Sequence, residues 1–223
     1  MAVLADVRRI EMGEFMTSDA TAMGLASADW EEWEKELARR LQPAQPDDTV
    51  RGLFSNGILD AVRSLAGDEA ARSCLEASGQ AKFVDFFNYP IRAHLRLVYT
   101  GARFLAPRYG SIEEALRQLG RRSTSDFLNS AAGKTMKLLA RGDPKRLLDT
   151  LPSAYRVSLT FGTQTIEWKG PTSGRYILER DFIPVPCHEG VMMALIETTH
   201  VPNVKVQGRQ LGLLDSEYDF SWG

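Results

Sequence analysis

Residues 143–168 read DPKRLLDTLPSAYRVSLTFGTQTIEW, and within them the apolar period changes. Leu147, Leu148 and Leu151 follow Asp143-Pro144, an aspartate suited to cap a helix and a proline suited to its first turn. Pro152 is expected to end that helix. Beyond it Tyr155, Val157, Leu159 and Phe161 alternate with Arg156, Ser158 and Thr160, the period of a half-buried strand. Ile166 and Trp168 continue the pattern after a turn at Gly162. A chain that is helical before this stretch and strand-forming after it reads as α+β, because a doubly wound sheet needs strands and helices in regular alternation.

Working outward, GPTSG marks a further turn, and Tyr176, Ile177 and Leu178 a third strand. HEGVMMALIETTH reads as a helix, Val204 and Val206 as a fourth strand, and Tyr218, Phe220 and Trp222 as a fifth. The expectation is an antiparallel sheet of about four to five strands with one helix packed on it. Upstream, FSNGILDAVRSLAG places Phe54, Ile58, Val62 and Leu65 on one face, and Asp68 opens a short helix ending at Gly79. YPIRAHLRLVYTGARFLAP aligns Ile91, Leu95, Val98, Ala102 and Leu105, with Pro107 expected to stop it. Ser111 and Glu114 form a capping box before Ile112, Leu116 and Leu119, and a further helix is expected over about 123–141.

Residues 1–47 form an acidic helical extension and linker, with five Lys/Arg against ten Asp/Glu. Its clearest element is DWEEWEKELARRL, where Asp29 and Glu32 have capping-box spacing and Trp30, Trp33, Leu37 and Leu41 share a stripe. Two indoles on one stripe call for burial, on the chain's own domain or on a protein partner, including a second copy in a homodimer. QPAQPDD then reads as a linker into a domain over 48–223.

The whole chain of 223 residues is 43% hydrophobic and 25% charged, with ten Phe, four Trp and six Tyr, which suits a folded domain and excludes a disordered one. A net charge of −2 offers no global field for nucleic acid. No apolar run approaches the roughly 20 residues of a membrane span. MAVLADVRRIEM carries its basic pair inside an apolar stretch rather than before one, so no secretory signal is expected. Cys74 and Cys187 are too few for a disulfide framework, and a cytoplasmic location is expected.

Motifs narrow the chemistry further. AAGKT at 131–135 ends like a phosphate-binding loop but has Leu128 where the first glycine belongs, and a helix rather than a strand before it. His94, His188 and His200 are too dispersed in the sequence for a local metal cluster, and His94 lies beside its helix's apolar stripe. Cys187 and His188, at a helix start, form a possible reactive corner, since a helix dipole and an imidazole both lower a thiol pKa. No further group is evident to orient His188, so catalysis is not expected. Arg117, Arg121, Arg122, Arg141, Lys145 and Arg146 read as solvated faces without the aromatic ladder of a single-strand nucleic-acid binder.

From Val50 onward the order of elements resembles the haem–nitric-oxide-binding fold and its cousin, the four-vinyl-reductase domain. VRGLFSNGILDAV, EEALRQLGRRSTSDFL, DPKRLLDTLPSAYRVSLTF and LGLLDSEYDFSW carry that resemblance. FNYPIRAHLRLVY, LAPRYGSIEEALRQLGRR and GRQLGLLDSEYDFSW resemble a Myxococcales-restricted family of unknown function. In haem sensors, the segment similar to LPSAYR holds the iron-ligating histidine, and here Tyr155 or its neighbours stand in that region. Their Tyr-x-Ser-x-Arg clamp can be laid on Tyr176, Leu178 and Arg180, with leucine replacing the serine.

The resemblance thus implies a pocket between helices and sheet, with His94, Tyr155, Tyr176, Leu178 and Arg180 as its candidate lining. It implies a non-catalytic sensor or adaptor holding a small apolar or anionic molecule; with Tyr155 or its neighbours where the iron-ligating histidine belongs, no haem, other cofactor or metal is expected. A pure interaction or dimerisation module is the alternative, and a haem-based sensor a further one.

Overall fold

A computed structural model describes residues 27–223, with side chains from Trp30 onward. The reading of the first twelve residues therefore lies outside the described residues. The architecture is α+β, a helical half followed by a four-stranded antiparallel sheet. Helix α1 (Ser27–Leu41) is followed by β1 (Thr49–Arg51), α2 (Gly52–Ala66), α3 (Asp68–Ser78) and β2 (Asn88–Pro90). Then come α4 (Ile91–Tyr109), α5 (Ile112–Asn129), α6 (Ala131–Ala140), α7 (Pro144–Asp149) and α8 (Leu151–Arg156). Strands β3 (Thr163–Gly170) and β4 (Ser173–Glu179), helix α9 (Val185–Glu197) and strands β5 (Lys205–Gln210) and β6 (Ser216–Ser221) complete the chain. The sheet order is β3-β4-β6-β5, and β1 pairs with β2 in a separate ribbon. Among the described residues no helix is long and apolar enough to cross a membrane.

Several boundaries depart from the sequence reading, each for a local reason. Helix α1 begins at Ser27, so Asp29 lies inside it rather than capping it. Helix α4 runs past Pro107 to Tyr109 and stops at Gly110, whose φ of 85° suits a glycine C-cap. The expected helix over 123–141 breaks at Ser130. Helix α5 runs on to Asn129, and the Ser130 hydroxyl caps α6 by accepting from Gly133 N. Pro152 does not stop the chain's helical course, because it occupies the first turn of α8, where its missing N–H costs nothing.

The largest departure falls on the opening stretch itself. Tyr155 is helical, and residues 157–162 are irregular rather than a strand. The alternation survives only as a bridge between Leu159 and Val50, backed by Arg51 N–Ser158 O at 3.0 Å and Thr160 N–Thr49 O at 3.1 Å. Sheet pairing proper starts at Thr163, where β4 supplies a partner.

Helix α9 joins the two halves. It lies against α5 on one side and β5 on the other, so it is apolar nearly all round, as a doubly covered helix must be. The α5 crossing is close enough that a Cβ on Gly120 would sit 2.0 Å from Cys187 O, and one on Gly190 1.9 Å from Arg117 O. Glu189 ties the junction electrostatically. Its Oε2 accepts from Arg117 Nε and Nη2 at 3.0 and 2.6 Å, and its Oε1 from Gly208 N of β5 at 2.7 Å.

The amino-terminal helix docks on the chain's own helical half. Trp33 packs at 6.0 Å from the ring of Tyr99 on α4, and Arg103 lies over the Trp30 ring. Buried Arg40 reaches across to the other half, donating to Gln210 Oε1 at 2.9 Å and to Phe182 O at 3.4 Å.

Candidate functional site

The polar interior lies where helices, α9 and sheet meet, and three local constraints build it. The α5–α9 glycine contact fixes the first turn of α9, and with it His188. Strand β4 ends at Glu179, and Arg180 turns the chain with φ of 52°, a region non-glycine residues enter at a cost. That turn sends Asp181 inward. Helix α8 brings Tyr155 from the opposite side.

The result is a buried chain of hydrogen bonds. Asp181 Oδ2 accepts from His188 Nε2 at 2.5 Å, and the Tyr155 hydroxyl lies 3.4 Å from His188 Nδ1. An imidazole that is neutral with its proton on Nε2 accepts from Tyr155 at Nδ1. His188 and Asp181 are only 2% and 4% exposed. His94 stands nearby on α4 and shares a 3.0 Å hydrogen bond through Nδ1 with Ser55 of α2. Burial lowers the His94 pKa to about 4, against an opposing pull from Asp181, so its imidazole is neutral at pH 7. Burial, reinforced by Asp181, pushes Tyr155 well above the usual tyrosine range.

Aromatic rings surround this chain. Tyr155 packs 6.5 Å from Phe54 and 6.0 Å from the His188 imidazole; His188 packs 5.7 Å from Tyr218, and Tyr218 6.3 Å from Tyr176. Among the described residues, clefts open to solvent lie elsewhere. One of about 620 Å³ lies around Lys169, Lys205, Gln207 and Phe220, and one of about 270 Å³ between α1 and α9 around Trp33, Arg40 and Glu189.

The residues singled out from sequence divide into two groups. His94, Tyr155, Tyr176 and His188 come together, with Leu178 fully buried on the same strand face as Tyr176. Arg180 does not join them. Past the end of β4, it holds both carboxylate oxygens of Asp48, at 2.7 and 2.9 Å. Burial works to raise the Asp48 pKa, but the Arg180 and Gln45 hydrogen bonds outweigh it, and the net shift is downward. The clamp spacing Tyr176-x-Leu178-x-Arg180 is therefore present in sequence and absent in space.

Cys187 and His188 form no reactive pair. Burial and the charge of Asp181 push the thiol up to about 12, while the imidazole is bound to Asp181 and Tyr155. Asp181 and Ser55 had no motif to mark them, and Tyr218 was marked only as a strand residue. The available signal was Asp181 seven residues before His188, a spacing uninformative until the chain turns at Arg180.

Haem, which this fold order implies, does not fit these residues. Both nitrogens of His188 have protein partners. Phe54 packs on Tyr155 and Tyr176 on Tyr218 between the layers, and the one arginine of the clamp spacing is committed to Asp48. Among the described residues no three of His, Cys, Asp and Glu converge as a metal site.

The fold is that of solved H-NOX proteins. An Fe(II) unliganded H-NOX protein from K. algicida aligns with a TM-score of 0.61 at 17% identity, over 78% of this chain and 96% of that one. An H-NOX protein from S. oneidensis in the Fe(II)NO ligation state gives 0.59 at 10%, over 78% and 99%. An oxygen-binding H-NOX domain related to soluble guanylate cyclases gives 0.59 at 11%, over 77% and 94%. These identities establish a shared fold and nothing finer. No curated protein sequence matches. Residues 30–223, from the tryptophan stripe of α1 to the end of the chain, match the family described as "Protein of unknown function (DUF2378)", and the chain belongs to that family.

Proposed function

We propose that this protein is a haem-free signalling module of the H-NOX fold, a non-catalytic adaptor rather than a gas sensor. The observation that carries this reading is the buried Tyr155–His188–Asp181 chain, which lies between the layers and uses both His188 nitrogens. The sequence left open a sensor or adaptor that holds a small molecule and an interaction module without one, and this proposal takes the second. Output by contact is supported at the surface next to this core. Phe86 is 78% exposed, and Phe87 and Val157 are exposed beside it, linked through Arg51, which donates to the carbonyls of Val157 and Phe86. Val157 directly follows α8, the helix of Tyr155, so a partner seated there would press on the buried chain. Asp181 is the group orienting His188 that the sequence did not reveal; the non-enzymatic reading is supported instead by the elevated Cys187 thiol and by the buried Tyr155 hydroxyl, itself pushed well above the usual tyrosine range, at the other imidazole nitrogen. Native mass spectrometry of freshly purified protein tests the proposal. The expected spectrum shows the mass of the polypeptide or its multiples alone, and a retained small molecule lost on Tyr155→Ala would overturn it.

A further inference from the structure

The second half of the α5–α6 hairpin presents an unpartnered helical face, built from the sequence AAGKTMKLLA over residues 131–140. Helix α6 packs against α5 and α7. Buried Gly133 and Ala140 face them, and a Cβ on Gly133 would lie 2.2 Å from Phe127 O. At 100° per residue the opposite face carries Ala131, Ala132, Thr135, Leu138 and Leu139. All five are exposed, Leu138 at 76% and Leu139 at 72%. This inverts the usual amphipathic order, since the apolar stripe points to solvent. Lys134, Lys137 and Arg141 lie along one flank of that stripe, and none of them has a salt bridge among the described residues. Residues 127–142 contain no acidic side chain at all. The adjoining acids are already engaged: Asp126 with Arg122, and Asp143 with Arg146 and the cap of α7.

We infer that the outward face of α6 docks on an anionic lipid surface, with Leu138 and Leu139 between the headgroups and the three cations against their charge. Exposed leucines beside a row of unpaired cations match the apolar and electrostatic parts of an interfacial helix. A protein partner fits less well. With three cations and no acidic side chain over residues 127–142, the face suits a uniformly anionic surface better than a mixed protein rim. Lysine is moreover depleted in protein interfaces. The inference is independent of the haem question, because α6 does not contribute to the buried chain.

Co-sedimentation of the full chain with vesicles tests it, using phosphatidylcholine alone and phosphatidylcholine with one third phosphatidylserine. The protein should pellet with the anionic vesicles about tenfold more than with the neutral ones. Raising the salt should release it as screening shortens the reach of the charges. Leu138→Ser/Leu139→Ser and Lys134→Glu/Lys137→Glu variants, with unchanged circular dichroism because these side chains are solvated, should each stay in the supernatant. A wild type that ignores anionic vesicles overturns the inference, as does a leucine variant that still binds them. Self-association lost in the leucine variant, without vesicle binding, would assign the face to a second copy instead.

Discussion

His94 shows at one residue what the fold does to a titratable group. The folded protein holds its pKa near 4 while the unfolded chain accepts a proton near 6.5. The unfolded state therefore gains protons first as pH falls. This residue costs nothing above pH 6.5, and stability declines below it, by about 2 kcal/mol at pH 5 and about 3 kcal/mol once both states are charged. Urea unfolding at pH 7 and pH 5 should show that slope, and His94→Gln should flatten it while retaining a partner for Ser55. A slope unchanged in the variant would place the acid sensitivity elsewhere. Gly190 makes a second case at this scale. Its Cβ would fall inside the contact distance of Arg117 O, so Gly190→Ala should cost about 3 kcal/mol or more, as severe overpacking does. A variant melting within a degree of wild type would mean that the two helices separate freely. Neither result could be read from sequence. His94 was legible as a histidine near an apolar stripe, but Ser55, its partner, lies 39 residues away, and nothing local marks Gly190 as a helix crossing.

Among the elements, α1 carries the clearest expectation. The Trp30/Trp33 stripe called for burial, and it packs on α4 while Arg40 reaches the loop after β4. A chain beginning at Pro43 should lose a few kcal/mol, at roughly 25 cal/mol per Å² of apolar surface uncovered. It should also expose Tyr99, otherwise 1% accessible, which a fall in melting temperature and a changed near-ultraviolet spectrum would report. Unchanged melting would show that α1 contributes no stability. Caps and turns were the most legible features: Ser111 accepts from Glu114 N at 3.1 Å and Asp143 from Lys145 N at 2.9 Å, as their spacing requires. The segment after Pro152 was the least legible. Its period-2 alternation is real, but Tyr155 has no strand beside it to pair with, and tertiary contact with Phe54 and His188 selects a helical turn there instead.

For the whole molecule, period and order of elements were enough to give an α+β chain with a late antiparallel sheet, because each period reports one face against a core. The interior was not, because filling a space is a property of all its walls together. Tyr176 and Leu178 point inward as their alternation requires, yet Arg180, two residues on, turns out to Asp48 at a backbone angle that no motif announces. We propose that the interior built on Tyr155, His188 and Asp181 takes no haem. Optical spectroscopy tests it most directly, with the protein expressed under haem supplementation and then titrated with hemin. The account predicts no Soret band in the purified protein and no sharpened, saturable band on titration. A stoichiometric Soret band, abolished by His188→Ala, His94→Ala or Tyr155→Phe, would contradict it.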